Sequence, residues 1–133
     1  MPLPLLPQLC GIITEPVAGT TLEGFVPFII VLDVPDDATA DLDWSVPMTM
    51  RVIDVHTVKV TGAGGAANTA QLKNTAAPIT DAMDLNVADD VVTRAGTIDD
   101  AAWKLPRGGI LRVTRTKAGG NAACKVVCLC VGA

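Results

Sequence analysis

Aromatic and catalytic residue types are scarce in this sequence. Aromatic side chains make up 3% of the residues, tyrosine is absent, and Ser45 and His56 are the only serine and histidine. Small-molecule sites usually recruit aromatic side chains and a few convergent polar groups. The composition therefore predicts a protein that is not an enzyme and that holds no cofactor.

Basic residues are missing from the first part of the chain. Residues 1–50 hold seven acidic residues and no Lys or Arg, whereas residues 51–133 hold ten basic and seven acidic residues. This asymmetry indicates an acidic arm or face and a mildly basic body. The bases are not interleaved with aromatic side chains, as they are in most nucleic-acid binders, so we expect no nucleic-acid partner.

The sequence also lacks targeting signals. The apolar N-terminus carries three prolines and no basic residue, unlike a signal peptide, and no apolar run approaches the ~20 residues that span a bilayer. We expect a soluble protein that binds no membrane and is made in a cytoplasm.

Val, Thr and Gly are abundant, which favours strands and tight turns. The long strand Met48 to Val60 changes the parity of its apolar residues near His56, as a β-bulge or a bend between two sheets would require. Six or more strands are predicted, among them Phe28 to Val34, Met48 to Val60, Thr69 to Asn74, Ile110 to Thr116 and Cys124 to Val131. The pattern predicts an all-β, jelly-roll-like β-sandwich.

Two loops share the pattern Ala-Gly-Gly-x-Ala, starting at Ala63 and Ala118. Because each joins two predicted strands, the sequence predicts two β-hairpins with small-residue tips. Between them, Thr80 and the stretch from Thr97 to Asp100 have helix-capping spacing, which predicts one or two short helical turns.

Residues 1–27 are predicted to form an extended arm ahead of a β-sandwich domain of residues 28–133. Five of the nine prolines lie in this arm, and proline resists both helix and central strand. Its apolar side chains either fold back on the body or lie on a partner chain, and the prolines favour the partner. The predicted partner-binding residues of the arm are Leu3, Leu5, Leu6, Leu9, Ile12 and Ile13.

Two motifs suggest a bound group but fit it poorly. Gly62 to Ala67 matches the dinucleotide fingerprint G-x-G-x-x-A, yet the residues that follow favour a returning strand over the helix that the fingerprint requires. Cys124, Cys128 and Cys130 share one face of a strand but are spread over about 20 Å, too far for one zinc ion. We expect reduced, buried thiols and no metal.

Two further constellations are weaker. The acidic residues between Asp33 and Asp43 lack the Gly and terminal Glu of an EF-hand, so a solvated loop is expected rather than a calcium site. Ser45, Asp54 and His56 supply the residue types of a hydrolase triad, but no nucleophile turn surrounds Ser45. No catalytic residues are predicted.

The order of the sequence segments between Val52 and Ala123 resembles that found in a known protein family. It runs through 52–59, 68–74, 79–82, 97–101, 108–113 and 118–123. This order is similar to that of the small capsid decoration (cement) proteins of tailed bacteriophages. The resemblance covers roughly residues 50–133 and implies a jelly-roll-like domain, often trimeric, that sits outside a capsid and bridges shell subunits.

We therefore expect a virion structural protein that is made in the host bacterial cytoplasm and lies on the outer capsid surface, with the major capsid protein as partner and a homotrimer as its own assembly state. A second candidate surface is a basic hairpin spanning Ile110 to Val131, with Arg112, Arg115 and Lys117 as contact residues. The alternatives are another β-sandwich virion component, such as a head fibre base or tail part, and a β-sandwich that binds a small ligand or carbohydrate.

Overall fold

A computed structural model describes residues 27–36, 41–62, 68–116 and 122–132, and these residues form strands and turns without a helix. None of them belongs to a helix that could cross a membrane. The chain order of the strands is β1 (Pro27–Val34), β2 (Asp41–Ser45), β3 (Met50–Gly62), β4 (Thr69–Asn74), β5 (Ala77–Pro78), β6 (Met83–Asp84), β7 (Val92–Arg94), β8 (Lys104–Leu105), β9 (Ile110–Thr116) and β10 (Ala122–Gly132).

The strands form two antiparallel sheets. Sheet A has the order β1-β10-β3-β7, with β8 also paired to β3, and sheet B has the order β2-β9-β4-β5, with β6 also paired to β4. The first strand pairs with the last, β2 with β9, β3 with β7 and β4 with β5. These four pairs are those of one long antiparallel ribbon. The ribbon is folded into two sheets by the pairing of β10 with β3 and of β9 with β4. The predicted jelly-roll-like β-sandwich is confirmed.

The core lies between the two sheets and follows the period-2 alternation of the strands. In β10, Cys124, Val126, Cys128 and Cys130 are buried and alternate with less buried residues. The prediction that the three cysteines share one face is therefore confirmed. Val52 and Val55 of β3 meet Leu72 of β4 and Val113 of β9 in the same apolar cluster.

The two predicted hairpins are wrong. Strand β3 lies in sheet A and β4 in sheet B, and β9 and β10 are divided in the same way. Both connections therefore cross from one sheet to the other. Small-residue loops and alternating strands are common to hairpins and to such crossovers, so local sequence could not separate them. The loop tips at 63–67 and 117–121 lie outside the described residues.

The predicted helical turns are also wrong. Thr80 forms an isolated bridge with Ile98, and its hydroxyl accepts the backbone N–H of Leu72 at 3.1 Å. At the second position, Asp99 makes a turn in which its side chain accepts the N–H of Ala101 at 2.8 Å. The Asp99 side chain competes with helix formation by bonding nearby backbone, whereas the Thr80 hydroxyl bonds to strand β4.

The parity change in β3 exists, but not near His56. Leu129 pairs with Asp54 and Cys130 with Val52, so Ile53 has no partner on β10. A second irregularity leaves Val60 unpaired, because Ala123 faces Thr61 and Cys124 faces Lys59. The bulge at Ile53 turns this side chain outward while Val52 and Val55 both enter the core.

Candidate interaction surface on sheet A

The outer face of sheet B is polar. Asp43 of β2 lies opposite Arg112 of β9, which lies opposite Lys73 of β4. Arg112 donates two hydrogen bonds to the Asp43 carboxylate, at 2.7 and 2.9 Å, and Thr114 donates one to Asp41 at 2.7 Å. Several side chains of this face bond to one another, as expected of a solvent-facing sheet.

The Arg112 guanidinium also holds the pKa of the Asp43 carboxyl below its usual value, chiefly through the hydrogen bond between them. The pKa of Arg112 is raised by the same hydrogen bond. Asp43 and Arg112 therefore remain charged and paired at neutral pH.

The outer face of sheet A is apolar at its centre. Ile29 is 62% exposed and Val31 51% exposed on β1, and Leu129 of β10 is 36% exposed. Ile29 lies directly opposite Leu129, and Val31 lies opposite Val127. Adjacent exposed aliphatic side chains on one face are typical of an interaction site.

The apolar face continues onto β3 and β7. Ile53 is 44% exposed at the bulge, and Val92 is 57% exposed on β7, opposite Val58 of β3. We call the surface formed by Ile29, Val31, Ile53, Val58, Val92, Val127, Leu129 and Val131 the apolar face of sheet A. This face was not predicted from the sequence, because a dense apolar run such as that of β1 is also typical of a strand buried on both faces.

The charges on the apolar face are mostly paired within the chain. Lys125 forms an ion pair with Asp33, and Arg94 forms one with Asp54 at 3.0 Å. His56 lies between Val127 and Arg94 in one row of the sheet. Because these ion pairs neutralise their own charges, a partner needs no matching charge at those positions.

Strand β1 is the edge of sheet A next to the apolar face. It has eight residues and pairs only with β10 among the described strands. The edge of sheet B is β2, which has five residues and carries outward Asp41 and Asp43. Charged, short edges discourage pairing with other chains, whereas a longer apolar edge such as β1 favours it.

A groove of about 300 Å³ opens at one end of the apolar face, lined by Arg51, Ile53, Trp103 and Val131. The guanidinium carbon of Arg51 lies 5.8 Å from the centre of the Trp103 ring, within the range of a cation–π contact. The backbone N–H of Val52 donates to the carbonyl of Trp103 at 2.9 Å and fixes the Trp103 backbone beside β3.

The predicted basic surface is not a hairpin, and its residues separate. Arg112 lies on the outer face of sheet B, whereas Arg115 is buried, with 3% of its surface exposed. The Arg115 guanidinium donates to the carbonyl of Pro35, and to that of Ala122 at 2.6 Å. Arg115 thus joins the end of β1 to the start of β10. Lys117 and the six arm residues lie outside the described residues.

The three described cysteines are buried thiols. Burial raises the pKa of Cys124 and of Cys130 to about 11, and it raises the pKa of Cys128 further. The thiolate is the reactive and metal-binding form, so such thiols are poor nucleophiles. Within the described ranges, no group of three His, Cys, Asp or Glu side chains could hold a metal ion. Cys10 lies outside them.

The remaining candidate sites do not assemble. Ser45 is on β2 of sheet B, while Asp54 and His56 are on β3 of sheet A and face outward, so the triad residues lie on different sheets. The fingerprint at Gly62 is followed by strand β4 and not by a helix. In the acidic segment, Asp33 is paired with Lys125, and Asp41 and Asp43 belong to β2.

No protein-family model matches the chain, and no curated protein matches it. Among solved structures, the chain is similar to one from the cyanophage Pam1 capsid asymmetric unit, with 12% sequence identity and a TM-score of 0.40. The match covers 90% of this chain and 99% of the other. At this distance the likeness carries no functional argument.

Proposed function

We propose that the protein is a structural component of a tailed-bacteriophage virion. In this role it decorates the outer capsid surface, bridges neighbouring shell subunits and stabilises the shell. The major capsid protein is its partner, and copies of the chain form a homotrimer. Support from the sequence comes from the resemblance to capsid decoration proteins, and support from the structure comes from the surface described above.

The observation that carries this proposal is the difference between the two outer faces of the sandwich. The apolar face of sheet A exposes aliphatic side chains beside an open strand edge, whereas sheet B presents bonded polar groups. A protein with one such face gains by lying flat on a partner. We therefore propose that sheet A faces the shell and sheet B faces solvent.

The energy available from the apolar face suits reversible docking in many copies. Full burial of an Ile, Val or Leu side chain contributes roughly 1.5–3 kcal/mol, so each half-exposed side chain adds about 1 kcal/mol. Several such contributions offset part of the cost of association, and the open edge of β1 offers backbone hydrogen bonds in addition.

A capsid-binding experiment tests the proposal. Shells lacking the protein are mixed with the full chain and sedimented, and the bound copies are counted. Ile29→Thr with Val31→Thr should lower occupancy severalfold, because the pair removes apolar area and keeps β-branched side chains. Gln71→Thr with Lys73→Thr, two positions with the same spacing on the outer face of sheet B, is the matched control and should bind like the wild type. Equal binding by both double variants would contradict the proposed orientation.

A ligand-binding β-sandwich is the alternative function. Glycan sites usually stack sugars on an aromatic platform, but the two tryptophans line different cavities. Trp103 lies in the groove beside Arg51, and Trp44 lines an apolar cavity of about 210 Å³ beside Ile30 and Met50. Neither cavity unites both tryptophans, so the assembly role is the better supported of the two.

A further inference from the structure

The groove at Arg51 has a chemical character that the apolar face does not explain. Arg51 lies directly opposite Lys104 in the β3–β8 ladder, and like charges placed opposite each other destabilise a sheet. Arg107 is close by, because its backbone N–H donates to the Thr49 hydroxyl at 3.2 Å. The backbones of three basic residues thus lie together where β3 begins.

These bases have no acidic partner among the described residues. Ion pairs occupy Lys59, Arg94, Arg112 and Lys125, and none involves Arg51, Lys104 or Arg107. The Nε atom of Arg51 is buried and has no hydrogen-bond partner in the described part of the chain. Arg51 lines the groove and belongs to none of these ion pairs, so the groove is suited to a carboxylate.

The walls of the groove restrict the ligand further. Ile53 and Val131 are aliphatic, and Trp103 places an aromatic ring beneath the Arg51 guanidinium. A segment that fits must therefore carry both carboxylates and aliphatic side chains, and it must lack bases. Residues 1–26 have this composition: they contain Glu15, Glu23 and many Leu and Ile residues, with no Lys or Arg.

The place where this segment joins the fold is also next to the groove. Strand β1 begins at Pro27, which pairs with Val131, and Val131 pairs in turn with Arg51. The segment therefore joins the fold beside the groove of its own copy, and the mixing experiment below distinguishes binding within a copy from binding between copies.

We propose that the groove lined by Arg51, Ile53, Trp103 and Val131 binds the acidic, apolar N-terminal segment, residues 1–26, of a second copy of this chain. The inference rests on the proposed role as a repeated piece of an assembly, and it names the contact between copies. The proposed partner of the arm is thus another copy of the chain, whereas the sequence alone suggested a shell subunit. Each copy gives one segment and receives one, a head-to-tail contact that closes into a ring such as the expected trimer.

Charge-reversed full-length chains test the proposal. One variant reverses the arm (Glu15→Lys with Glu23→Lys) and the other reverses the groove (Arg51→Glu with Lys104→Glu). Each should weaken self-association about tenfold or more, because like charges then meet at the contact. Multi-angle light scattering over a concentration series measures the change. Lys73→Glu, on the outer face of sheet B, is the control and should keep the wild-type mass.

Mixing the two reversed variants separates a contact between copies from one within a copy. In a contact between copies, the wild-type arm of one variant meets the wild-type groove of the other, and the two reversed partners also match. A ring of three built from two variants matches two of its three contacts, so an equal mixture should recover a mixed oligomer that neither variant forms alone. Circular dichroism checks folding, and Lys104→Glu alone, at an exposed position, provides a milder variant should the double change unfold the chain.

Two results would overturn the inference: a wild-type chain that is monomeric at micromolar concentration, or reversed variants whose mixture stays dissociated. Neither result bears on capsid docking, which the sedimentation experiment measures through Ile29 and Val31. A failure of the arm contact and a failure of the virion role are thus distinguishable.

Discussion

Ile29 of β1 lies directly opposite Leu129 of β10, and both side chains point away from the core of the sandwich. Each has buried neighbours on the inner face, such as Leu32 and Cys128, so these two strands are apolar on both sides. The core needs only the inner side. The outer side of β1 and β10 is therefore available for contacts with other molecules.

The Ile29–Leu129 pair predicts a measurable apolar surface on the isolated protein. Ile29→Thr with Leu129→Thr should lower the fluorescence of a surface-binding hydrophobic dye, because the pair forms the centre of the apolar face. The melting temperature should change little, since exposed substitutions usually alter stability by less than about 0.5 kcal/mol. Unchanged dye fluorescence would show that the dye, and by extension the exposed apolar area, lies elsewhere.

The buried cysteines predict slow thiol chemistry. At pH 8, Cys124, Cys128 and Cys130 should resist alkylation in the folded protein and react fully in denaturant, because burial raises their pKa values. Mass spectrometry counts the modified thiols without reductant and should find no intrachain disulfide. Stoichiometric zinc that survives dialysis would contradict this interpretation.

The same thiols predict how stability depends on alkaline pH. The ordinary pKa of a cysteine is 9.0, and those of folded Cys124 and Cys130 are about 11. Between these values the unfolded chain loses thiol protons that the folded chain keeps, so the free energy of unfolding falls as pH rises from about 9 to 11. Denaturant titrations at several pH values measure the slope, and replacing Cys124 and Cys130 with alanine should reduce it.

The Asp43–Arg112 pair predicts a small effect at acidic pH. The pKa of Asp43 is lowered in the folded state, so its contribution is present above its ordinary value of 3.8 and is lost as pH falls through the lower folded value. Asp43→Asn should lower the melting temperature slightly at pH 7 and not at all near pH 2. An equal decrease at both pH values would mean that the carboxylate charge is not what stabilises the strand pair.

Arg115 predicts a contrast with Arg112. Arg115→Met should destabilise the fold by about 1–3 kcal/mol, because the carbonyls of Pro35 and Ala122 lose their buried donor. Arg112→Met removes only an exposed pair and should cost less. Chemical denaturation compares the two variants. A stable Arg115→Met protein that fails to bind capsids would return Arg115 to the partner surface predicted from sequence.

Much of the fold was predictable because strand periodicity is a local property. The predicted strands at 28–34, 69–74, 110–116 and 124–131 agree with β1, β4, β9 and β10 to within a few residues, and the shared face of the cysteines followed from their spacing. Which strands become neighbours is not local. The crossovers from β3 to β4 and from β9 to β10 depend on how the whole ribbon rolls up.

The candidate surface was harder to predict for a different reason. The apolar run from Phe28 to Leu32 in β1 fits a strand buried on both sides as well as one with an exposed apolar face, and only the tertiary structure separates the two. The position of Arg115 was available in the sequence, because it shares its parity with the inward Leu111 and Val113. The prediction grouped Arg115 with the neighbouring bases by charge and did not take this alternation into account.

Electron cryomicroscopy of the native particle tests the central claim most directly. If the protein is a capsid decoration component, its jelly roll should appear in repeated copies outside the shell. The apolar face of sheet A, with Ile29 and Leu129 at its centre, should lie against the shell, and Asp43 and Arg112 of sheet B should face solvent. Particles without the protein, or copies bound through sheet B with Ile29 exposed, would contradict it.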